Sequence, residues 1–326
     1  MATRILGDKV DVADDLHKQV VSALLEIAYT APLWERYDAF TALSWLAGDS
    51  YAAGGLLALA KDEKVHDEAR IEAAALGMMG RPEEADEILL ALARDEKKNY
   101  KIIGSVFFTL FQMGHVGEKV QNVLLYLAKD EKMDFEVRLT AILMTGLLSA
   151  VGEKLRDGIL ALAQDAKVDK MVRRFAASVL GQFGGSDKKV LDGLLALAQD
   201  TKVDNRVRSN AASALGKLDQ TGKAAEILLT LAQDTKVTDE VRGSAAYFLG
   251  QLGNSDKKVV DGLLALAQDT KVDSRVRSEA ASALGKLGRI EEAVEMLLAL
   301  AQDIKVADEV RDNAYHAFKR LMGSSK

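Results

Sequence analysis

The chain of 326 residues contains no cysteine and only two prolines, Pro32 and Pro82. The missing cysteine excludes disulfide bonds, thiolate catalysis and cysteine-ligated metal centres, and it suits a reducing compartment. Aromatic residues make up only 6% of the chain. Ala, Leu, Lys, Asp and Glu are abundant instead, a composition that favours helices over strands.

The chain also lacks an excess of positive charge and any long apolar run. Its net charge of −6 argues against broad binding to nucleic acid or to anionic membranes. The longest apolar runs, such as LLALA, are too short to cross a bilayer. Residues 1–15 show no basic stretch followed by an apolar core, so they do not resemble a secretory signal. We therefore expect a soluble, cytoplasmic protein without a membrane partner or a nucleic-acid partner.

The sequence repeats itself along most of its length. Residues 186–218 and 255–287 are identical except at Leu191/Val260, Asn205/Ser274 and Asn210/Glu279. A shorter motif, an apolar run that ends in Asp, recurs every 33 to 35 residues. The eight aspartates are Asp62, Asp95, Asp130, Asp165, Asp200, Asp234, Asp269 and Asp303. The run at 24–30 is a divergent earlier copy, so the chain has nine units.

Each unit contains two segments of helical size, each with one apolar stripe. An N-cap residue precedes the second segment in six units: Asn99, Asp134, Asp169, Asp204, Thr238 and Asp273. One such hairpin cannot enclose its own apolar face, but a stack of hairpins can. The pattern therefore predicts an all-α fold, a right-handed α-solenoid (superhelix) of about nine hairpins. We expect a single domain over 1–326, with capping units at 1–48 and 289–326 and regular repeats at 49–288.

The residues that follow each motif carry a family resemblance. An Asp that ends the first helix, a Val-Arg that opens the second and a following AA-x-x-L-G resemble the HEAT-repeat family of armadillo-type helical repeats, particularly the bacterial phycobilisome-lyase HEAT-like type. In that family the Asp and Arg side chains form a ladder that links the turns of adjacent units. The resemblance implies the same role for Asp62/Arg70, Asp130/Arg138, Asp165/Arg173, Asp200/Arg208, Asp234/Arg242, Asp269/Arg277 and Asp303/Arg311. The third unit has Ile103 in place of the Arg.

No motif points to catalysis, a metal or a cofactor. The four histidines, His17, His66, His115 and His316, form no His-Glu or His-x-x-x-His pair. There is no Gly-x-Ser-x-Gly nucleophile motif and no phosphate-binding loop. We therefore predict that the protein is not an enzyme and has no catalytic residue, metal or cofactor.

A lysine follows two residues after every repeat Asp. Eight positive charges would then line one edge of the stack. A cation at the end of each first helix offsets the helix dipole, and we favour this structural role over an anion-binding rail.

The second helices of HEAT stacks line the concave surface, where residues not needed for the core vary between units. In this chain such positions are apolar mainly in the N-terminal units, and exposed apolar residues commonly mark an interface. The predicted partner-contacting residues are Tyr37, Trp45, Ile71, Met78, Phe108, Leu139, Leu143, Leu147, Phe175 and Tyr247. The alternative is that irregular N-terminal units bury these residues in a shifted core.

The leading hypothesis is a non-enzymatic scaffold or sensor module that binds another protein or a peptide in its concave groove. Similar repeats form sensing regions of larger bacterial signalling or defence proteins, which would then be its partners. The resemblance also implies an alternative, a phycobilin lyase-like chromophore chaperone, for which Asp38 or Glu72 could supply a carboxylate. A third alternative is a HEAT-like alkylpurine DNA glycosylase that uses Trp34 and Asp38, although the acidic charge argues against it.

Overall fold

The computed structural model describes residues 14–323 except 47, 96, 149 and 184–186. All eighteen regular elements in this part of the chain are α-helices, which confirms the predicted all-α solenoid. The chain forms two compact units, Met1–Gly152 and Glu153–Lys326. We call them the N-terminal unit and the C-terminal unit. The capping units expected at the two ends stay a prediction.

The N-terminal unit contains four helical hairpins within its described residues. Their helices are α1 (Asp14–Thr30), α2 (Leu33–Ser44), α3 (Ser50–Lys61), α4 (Asp67–Gly77), α5 (Pro82–Arg94), α6 (Tyr100–Gln112), α7 (Glu118–Lys129) and α8 (Phe135–Thr145).

The C-terminal unit contains five hairpins within its described residues. Their helices are α9 (Glu153–Gln164), α10 (Lys170–Leu180), α11 (Lys188–Gln199), α12 (Asn205–Lys217), α13 (Thr221–Gln233), α14 (Asp239–Leu252), α15 (Lys257–Gln268), α16 (Ser274–Lys286), α17 (Ile290–Gln302) and α18 (Asp308–Gly323).

Within each unit, the helices pack in two layers. In the second-helix layer, each even-numbered helix contacts the next even-numbered helix of its unit. The odd-numbered helices form the first-helix layer with fewer contacts, such as those between α1 and α3, α9 and α11, and α13 and α15. The first helices bury mainly leucines, such as Leu194 and Leu197 of α11. The second helices bury many small residues, such as Ala211 and Ala212 of α12. The core of each unit lies between its two layers, as expected for stacked amphipathic helices.

The turn inside every hairpin after the first is built around the repeat Asp. Asp62 Oδ1 accepts a hydrogen bond from the Lys64 backbone N–H at 2.9 Å, and its carbonyl accepts one from the Val65 N–H at 3.1 Å. All eight repeat aspartates make the same two bonds. The following lysine thus takes part through its backbone N–H.

The predicted N-caps are confirmed in part. Side-chain cap bonds are made by Asn99, Asp169, Asp204 and Asp273. Asp134 and Thr238 stand at the cap position without such a bond. Sequence reasoning missed the caps of two first helices, Asp49 before α3 and Asp187 before α11.

The expected Asp–Arg ladder is corrected by the structure. Six arginines donate from Nε to the carbonyl of the penultimate residue of the first helix in their own hairpin. The pairs are Arg70–Ala60, Arg138–Ala128, Arg173–Ala163, Arg208–Ala198, Arg242–Ala232 and Arg277–Ala267. The carbonyls in the last turn of a helix have no partner within the helix, so each arginine supplies one. Among the described residues, none of these seven predicted pairs forms an ion pair: Asp62/Arg70, Asp130/Arg138, Asp165/Arg173, Asp200/Arg208, Asp234/Arg242, Asp269/Arg277 and Asp303/Arg311.

The predicted ladder role of Arg311 is wrong as well, and this seventh arginine differs from the other six. Its Nη2 donates to the carboxylate of Asp308, one helical turn earlier in α18, and not to Asp303. Side chains three residues apart are neighbours on a helix, so Asp308 is the nearer acceptor. The Asp303 carboxylate instead accepts a hydrogen bond from the Lys305 backbone N–H at 2.9 Å. The Nε of Arg311 is buried and has no hydrogen-bond partner within the described residues.

The aspartates and arginines still interact over a longer distance. Burial lowers the pKa of Arg208, while Asp234 of the next hairpin and Asp200 oppose that shift. The third hairpin differs, because the buried Ile103 replaces the arginine. There, Lys98 Nζ lies 2.8 Å from Asp67 of the preceding hairpin and 3.7 Å from Asp95. This lysine links two adjacent turns, which is the connection that the resemblance implied for the arginines.

Two kinds of contact alternate in the second-helix layer of the C-terminal unit. A Cβ atom on Gly181 would lie 2.7 Å from the Cα of Ala214, and one on Gly250 would lie 2.8 Å from the Cα of Ala283. The backbones therefore touch between α10 and α12 and between α14 and α16. In the intervening interfaces, Gly216 and Gly285 instead receive the side chains of Leu252 and Leu321. The packing therefore repeats every two hairpins.

Candidate partner-binding face

The N-terminal unit exposes large apolar side chains from its second-helix layer. Their exposed fractions range from 43% to 68%. Large apolar side chains are more commonly buried in folded proteins. We call this set the apolar face; it consists of Trp34, Tyr37, Trp45, Met79, Phe108, Leu143 and Leu147. All seven lie on α2, α6 or α8, or directly after α2, α4 or α8.

The C-terminal unit is polar at most of the corresponding positions, with Met171 and Tyr247 as exceptions. The residues equivalent to Trp45 and Leu147 are Gln182, Lys217, Gln251, Lys286 and Arg320. Tyr247 of α14 is exposed, but its hydroxyl accepts a hydrogen bond from Gln251 Nε2 at 2.6 Å, and Lys286 Nζ lies 4.4 Å from its ring centroid. The apolar face is therefore a property of the N-terminal unit rather than of every repeat.

Two predicted contact residues are core residues instead. Ile71 is only 6% exposed, because its position faces the neighbouring second helix, as does that of the buried Ser209. Met78 is only 3% exposed, whereas Met79 is 59% exposed. Met79 follows Arg70 by nine residues, as Lys217 follows Arg208, so a gap assumed in this helix shifted the prediction by one residue. Ile71 and Met78 are thus corrected.

The other predicted residues differ in accessibility. Tyr37, Trp45, Phe108, Leu143, Leu147 and Tyr247 are exposed. Leu139 and Phe175 are half-buried, and the Phe175 ring lies 4.7 Å from the Arg174 guanidinium carbon. Whether any of these residues contacts a partner stays a prediction.

Two cavities open on the second-helix layer of the N-terminal unit. The one between α6 and α8 has a volume of about 480 Å³ and is lined by Tyr100, Phe108, Thr140 and Met144, among others. The one between α2 and α4 has a volume of about 390 Å³. Its lining residues are Arg36, Tyr37, Phe40, His66, Glu68, Ala69 and Glu72. Both cavities thus combine aromatic walls with a few polar groups, which is common in binding sites.

The carboxylates on this face are not neutralised by nearby cations. Desolvation raises the pKa of Glu72 above its ordinary value. Within the described part of the chain, Asp38, Glu68, Glu72 and Glu136 take part in no ion pair or side-chain hydrogen bond. The surface therefore carries a local negative charge beside its apolar side chains.

Sequence reasoning missed Arg36, which occupies the arginine position of the first hairpin. Its Nη2 donates to the Ala31 carbonyl at 3.1 Å. The position of Asp38, two residues later, matches that of Asn210 after Arg208, so counting along the second helix could have identified it. The shorter turn of this hairpin hid the equivalence.

The residues proposed for the glycosylase alternative do not converge on a cavity. Trp34 and Asp38 are exposed on α2, and the cavity beside this helix is lined by Tyr37 and Phe40 instead.

No group of three or more His, Asp or Glu in the described ranges could hold a metal ion. His17 Nε2 lies 3.2 Å from Asp49 Oδ1, and His115 Nδ1 lies 2.8 Å from Asp86 Oδ2. Within the described residues, no helix has both the length and the apolar character to span a bilayer.

A third cavity lies on the first-helix side of the N-terminal unit. It has a volume of about 650 Å³ and is lined by charged residues of both signs, including Arg70, Asp95 and Lys98. Lys61 and Glu84 in its wall pair at 2.6 Å. Its charges largely satisfy one another.

Comparisons with known proteins agree with this architecture. No curated protein sequence matches the chain. Among solved structures, Kap121p bound to Nup53p matches with a TM-score of 0.60 and 15% identity over 95% of this chain and 38% of that one. Importin beta matches with a TM-score of 0.56 and 14% identity over 93% and 46%. The Kap95:Nup1 complex matches with a TM-score of 0.60 and 13% identity over 94% and 46%. The chain spans less than half the length of these structures, and identities this low show the fold alone.

The family comparison is more direct. A model described as HEAT repeats matches residues 156–250 and 236–319, which together make up half of the chain. The matched ranges contain the Arg-to-carbonyl bonds of the C-terminal unit and the close contacts of Gly181 and Gly250. The chain therefore belongs to the HEAT-repeat family.

Proposed function

We propose that the protein is a non-enzymatic scaffold that binds a protein or peptide segment through the apolar face of its N-terminal unit. One observation carries the proposal: seven large apolar side chains are exposed on one layer of that unit, while the equivalent positions of the other unit are polar except at a few residues such as Met171 and Tyr247. Water contact with such a surface is unfavourable, and burial against a partner relieves it. Aromatic residues such as Trp34, Trp45 and Phe108 are typical anchors of interfaces.

The structural relatives are consistent with this class of function. Kap121p is observed bound to Nup53p and to Ste12p, and Kap95 is observed in a complex with Nup1. A helical solenoid of this fold can thus present a surface to another protein chain. The likeness supports the class of function, while the choice of surface rests on the residues of this chain. Membership of a larger signalling or defence assembly stays a hypothesis.

A double substitution tests the apolar face. Phe108→Asp with Leu143→Asp places two charges on the face and should reduce binding of a partner captured from the native host by at least about tenfold. A matched control, Leu16→Asp with Ile27→Asp, makes the same change at exposed apolar residues of α1 in the first-helix layer. Retained binding by the Phe108/Leu143 variant, with unchanged helicity by circular dichroism, would contradict the proposal.

A second candidate function is a phycobilin lyase-like chromophore chaperone. One observation favours it: Glu72 lines the cavity between α2 and α4 together with Tyr37 and Phe40, so a carboxylate stands among aromatic groups. Binding of a bilin there should shift its visible absorbance, and Glu72→Gln should reduce that shift. An unchanged bilin spectrum in the presence of excess protein would remove this candidate.

A further inference from the structure

We infer that the segment bound by the apolar face carries basic side chains beside bulky apolar ones, an inference that rests on the proposed function. The apolar side chains follow from the face itself, whereas the basic ones follow from the carboxylates that surround it. The first step is therefore the charge that the N-terminal unit presents on this layer.

Five carboxylates lie on the second helices of the N-terminal unit without an ion-pair partner among the described residues: Glu35, Asp38, Glu68, Glu72 and Glu136. Lys101 is the exposed cation on α6. Arg36 lies in the cavity between α2 and α4, but its Nη2 is engaged by the Ala31 carbonyl. The face thus keeps a net negative charge that a cationic partner would neutralise.

The C-terminal unit shows the opposite arrangement at equivalent positions. Glu240 pairs with Arg206, and Glu309 pairs with Arg275 at 3.2 Å. Lys286, Arg275 and Arg320 attract Glu279 and oppose the upward shift that burial gives its pKa. Glu72 stands at the position of Glu279, but no cation in the described ranges lowers its pKa. Desolvation alone raises the pKa of Glu72 above its ordinary value. Among the described residues, only Glu279 and Asp312 lack an ion pair on this layer of the C-terminal unit, and Glu279 has three cations nearby. Carboxylates without a nearby cation are therefore concentrated in the unit that carries the apolar face.

The cavity between α2 and α4 suits one basic side chain. Glu68 and Glu72 supply two carboxylates, and the exposed Tyr37 supplies an aromatic ring, which attracts a Lys or Arg cation over its face. His66 also lines this cavity. The single arginine in the wall leaves the cavity with a net negative charge when both glutamates are ionised.

The second cavity, at Phe108, suits a bulky apolar side chain of the same segment. Helices that pack side by side lie about 8–10 Å apart, so the α2–α4 and α6–α8 cavities are about 20 Å apart. An extended chain advances about 3.3 Å per residue. A basic residue about six positions from an aromatic or large aliphatic residue would therefore reach both cavities.

A displayed library of random peptides of about 15 residues, selected on the full-length protein, tests the inference. The selected peptides should be enriched in Lys or Arg at about six positions from an aromatic or large aliphatic residue. Their affinity should fall as NaCl rises from about 0.05 M to about 0.3 M, because salt screens exposed charges. Glu68→Gln with Glu72→Gln should weaken binding by about threefold to tenfold and reduce this salt dependence.

A matched control removes two exposed carboxylates elsewhere in the same unit, with Glu83→Gln and Glu131→Gln. This control should bind like the original protein. Peptides that are lost by Phe108→Asp with Leu143→Asp but lack basic residues and ignore the Glu68/Glu72 variant would overturn the inference and leave the proposed function standing. No selected peptide at all, or binding that ignores the Phe108/Leu143 variant, would overturn both.

Discussion

At the scale of single residues, six arginines close the ends of the first helices. Each Nε reaches a carbonyl in the last turn of the first helix of its own hairpin, such as the Ala198 carbonyl at 3.1 Å from Arg208. A second bond runs from Arg208 Nη1 to Asn205 Oδ1 at 2.8 Å. Arg208 thus joins the two helices of its hairpin across their turn, and it does so in a buried position where an unmade hydrogen bond is costly.

Arg208→Met should lower the free energy of unfolding by about 1.5–3 kcal/mol, because it leaves the Ala198 carbonyl without its donor. Arg208→Lys should recover only part of this loss, since lysine keeps the charge but not the planar Nε–H. Urea denaturation followed by circular dichroism measures both. Equal stability of the Met variant and the original protein would show that the bond contributes nothing.

Glu72 makes stability depend on pH in a defined direction. Its pKa in the folded state is raised above the ordinary value of 4.5, so the folded state holds this proton more tightly than the unfolded state. The contribution of Glu72 to stability is therefore lost as the pH rises through its raised pKa in the folded state. Glu72→Gln should raise the melting temperature at pH 7 by about 1 °C, a small effect because the side chain remains in contact with solvent.

The pH dependence supplies the control for this prediction. At a pH below the ordinary value, both proteins carry a neutral side chain at this position, so the difference in melting temperature should vanish. A difference that persists in acid would assign the effect to packing rather than to charge. If Glu72→Gln weakens the binding of basic peptides without lowering the melting temperature, unfolding does not explain the weaker binding.

The sequence could predict single residues only where the repeat fixes their environment. The repeat aspartates and four N-caps follow from local geometry, which a short motif determines. Ile71 and Met78 could not be assigned in the same way, because their burial depends on how closely the neighbouring helix approaches and on one residue of register. The partner of each arginine was also hidden, since a backbone carbonyl leaves no trace in the side-chain pattern. Arg311 adds a second reason, because its partner Asp308 lies in the same helix rather than in the turn.

At the scale of helices, glycine decides how closely neighbours approach. Gly250 lies inside α14, and a Cβ there would be 2.8 Å from the Cα of Ala283 and 2.9 Å from its Cβ. Backbone atoms cannot rotate away as a flexible side chain can, so α14 and α16 would have to separate. Gly243 lies in the same helix, but a Cβ there would meet only Glu279 and Arg275 side-chain atoms at 3.7 Å and 3.8 Å and the Val276 Cα at 4.0 Å.

These two glycines give a matched pair of substitutions. Gly250→Ala should destabilise the protein by about 1–3 kcal/mol through overpacking. Gly243→Ala should stabilise it by about 0.5–1 kcal/mol, because alanine favours the helix and has room there. Chemical denaturation of both variants checks the prediction, and the same sign for both would contradict the role assigned to the close approach.

The helices themselves were predictable from sequence. Apolar periodicity and the recurring Asp place nine hairpins, and the structure has nine within its described residues. The division after Gly152 was not predictable, because the spacing from Asp130 to Asp165 is the same 35 residues found elsewhere. The division depends on packing between neighbouring hairpins, which the length of a repeat does not report.

At the scale of the whole molecule, the repeating module of the C-terminal unit is a pair of hairpins. Removal of residues 187–255 should leave a folded protein, because Gly181 would then face Ala283, which stands where Ala214 stood. Removal of one hairpin, residues 187–220, would place Phe248 at that position, since it follows Arg242 by six residues as Ala214 follows Arg208. The shorter deletion should therefore be the less stable protein.

Urea denaturation of the two deletion proteins separates these outcomes. The pair deletion should unfold in one transition, with a slope lowered in proportion to the surface lost. The single-hairpin deletion should unfold at a lower urea concentration despite its greater length. Equal midpoints would show that any hairpin can stack on any other.

The alternation of backbone contacts and leucine contacts also limits how the length of the chain can change during evolution. The near-identical stretches at 186–218 and 255–287 are sites where misaligned recombination can add or remove coding sequence. Each such exchange changes the chain by 69 residues and leaves every glycine opposite the neighbour it fits. Natural length variants of this protein should accordingly differ by whole multiples of that step, and variants that gain or lose an odd number of hairpins should be eliminated by selection.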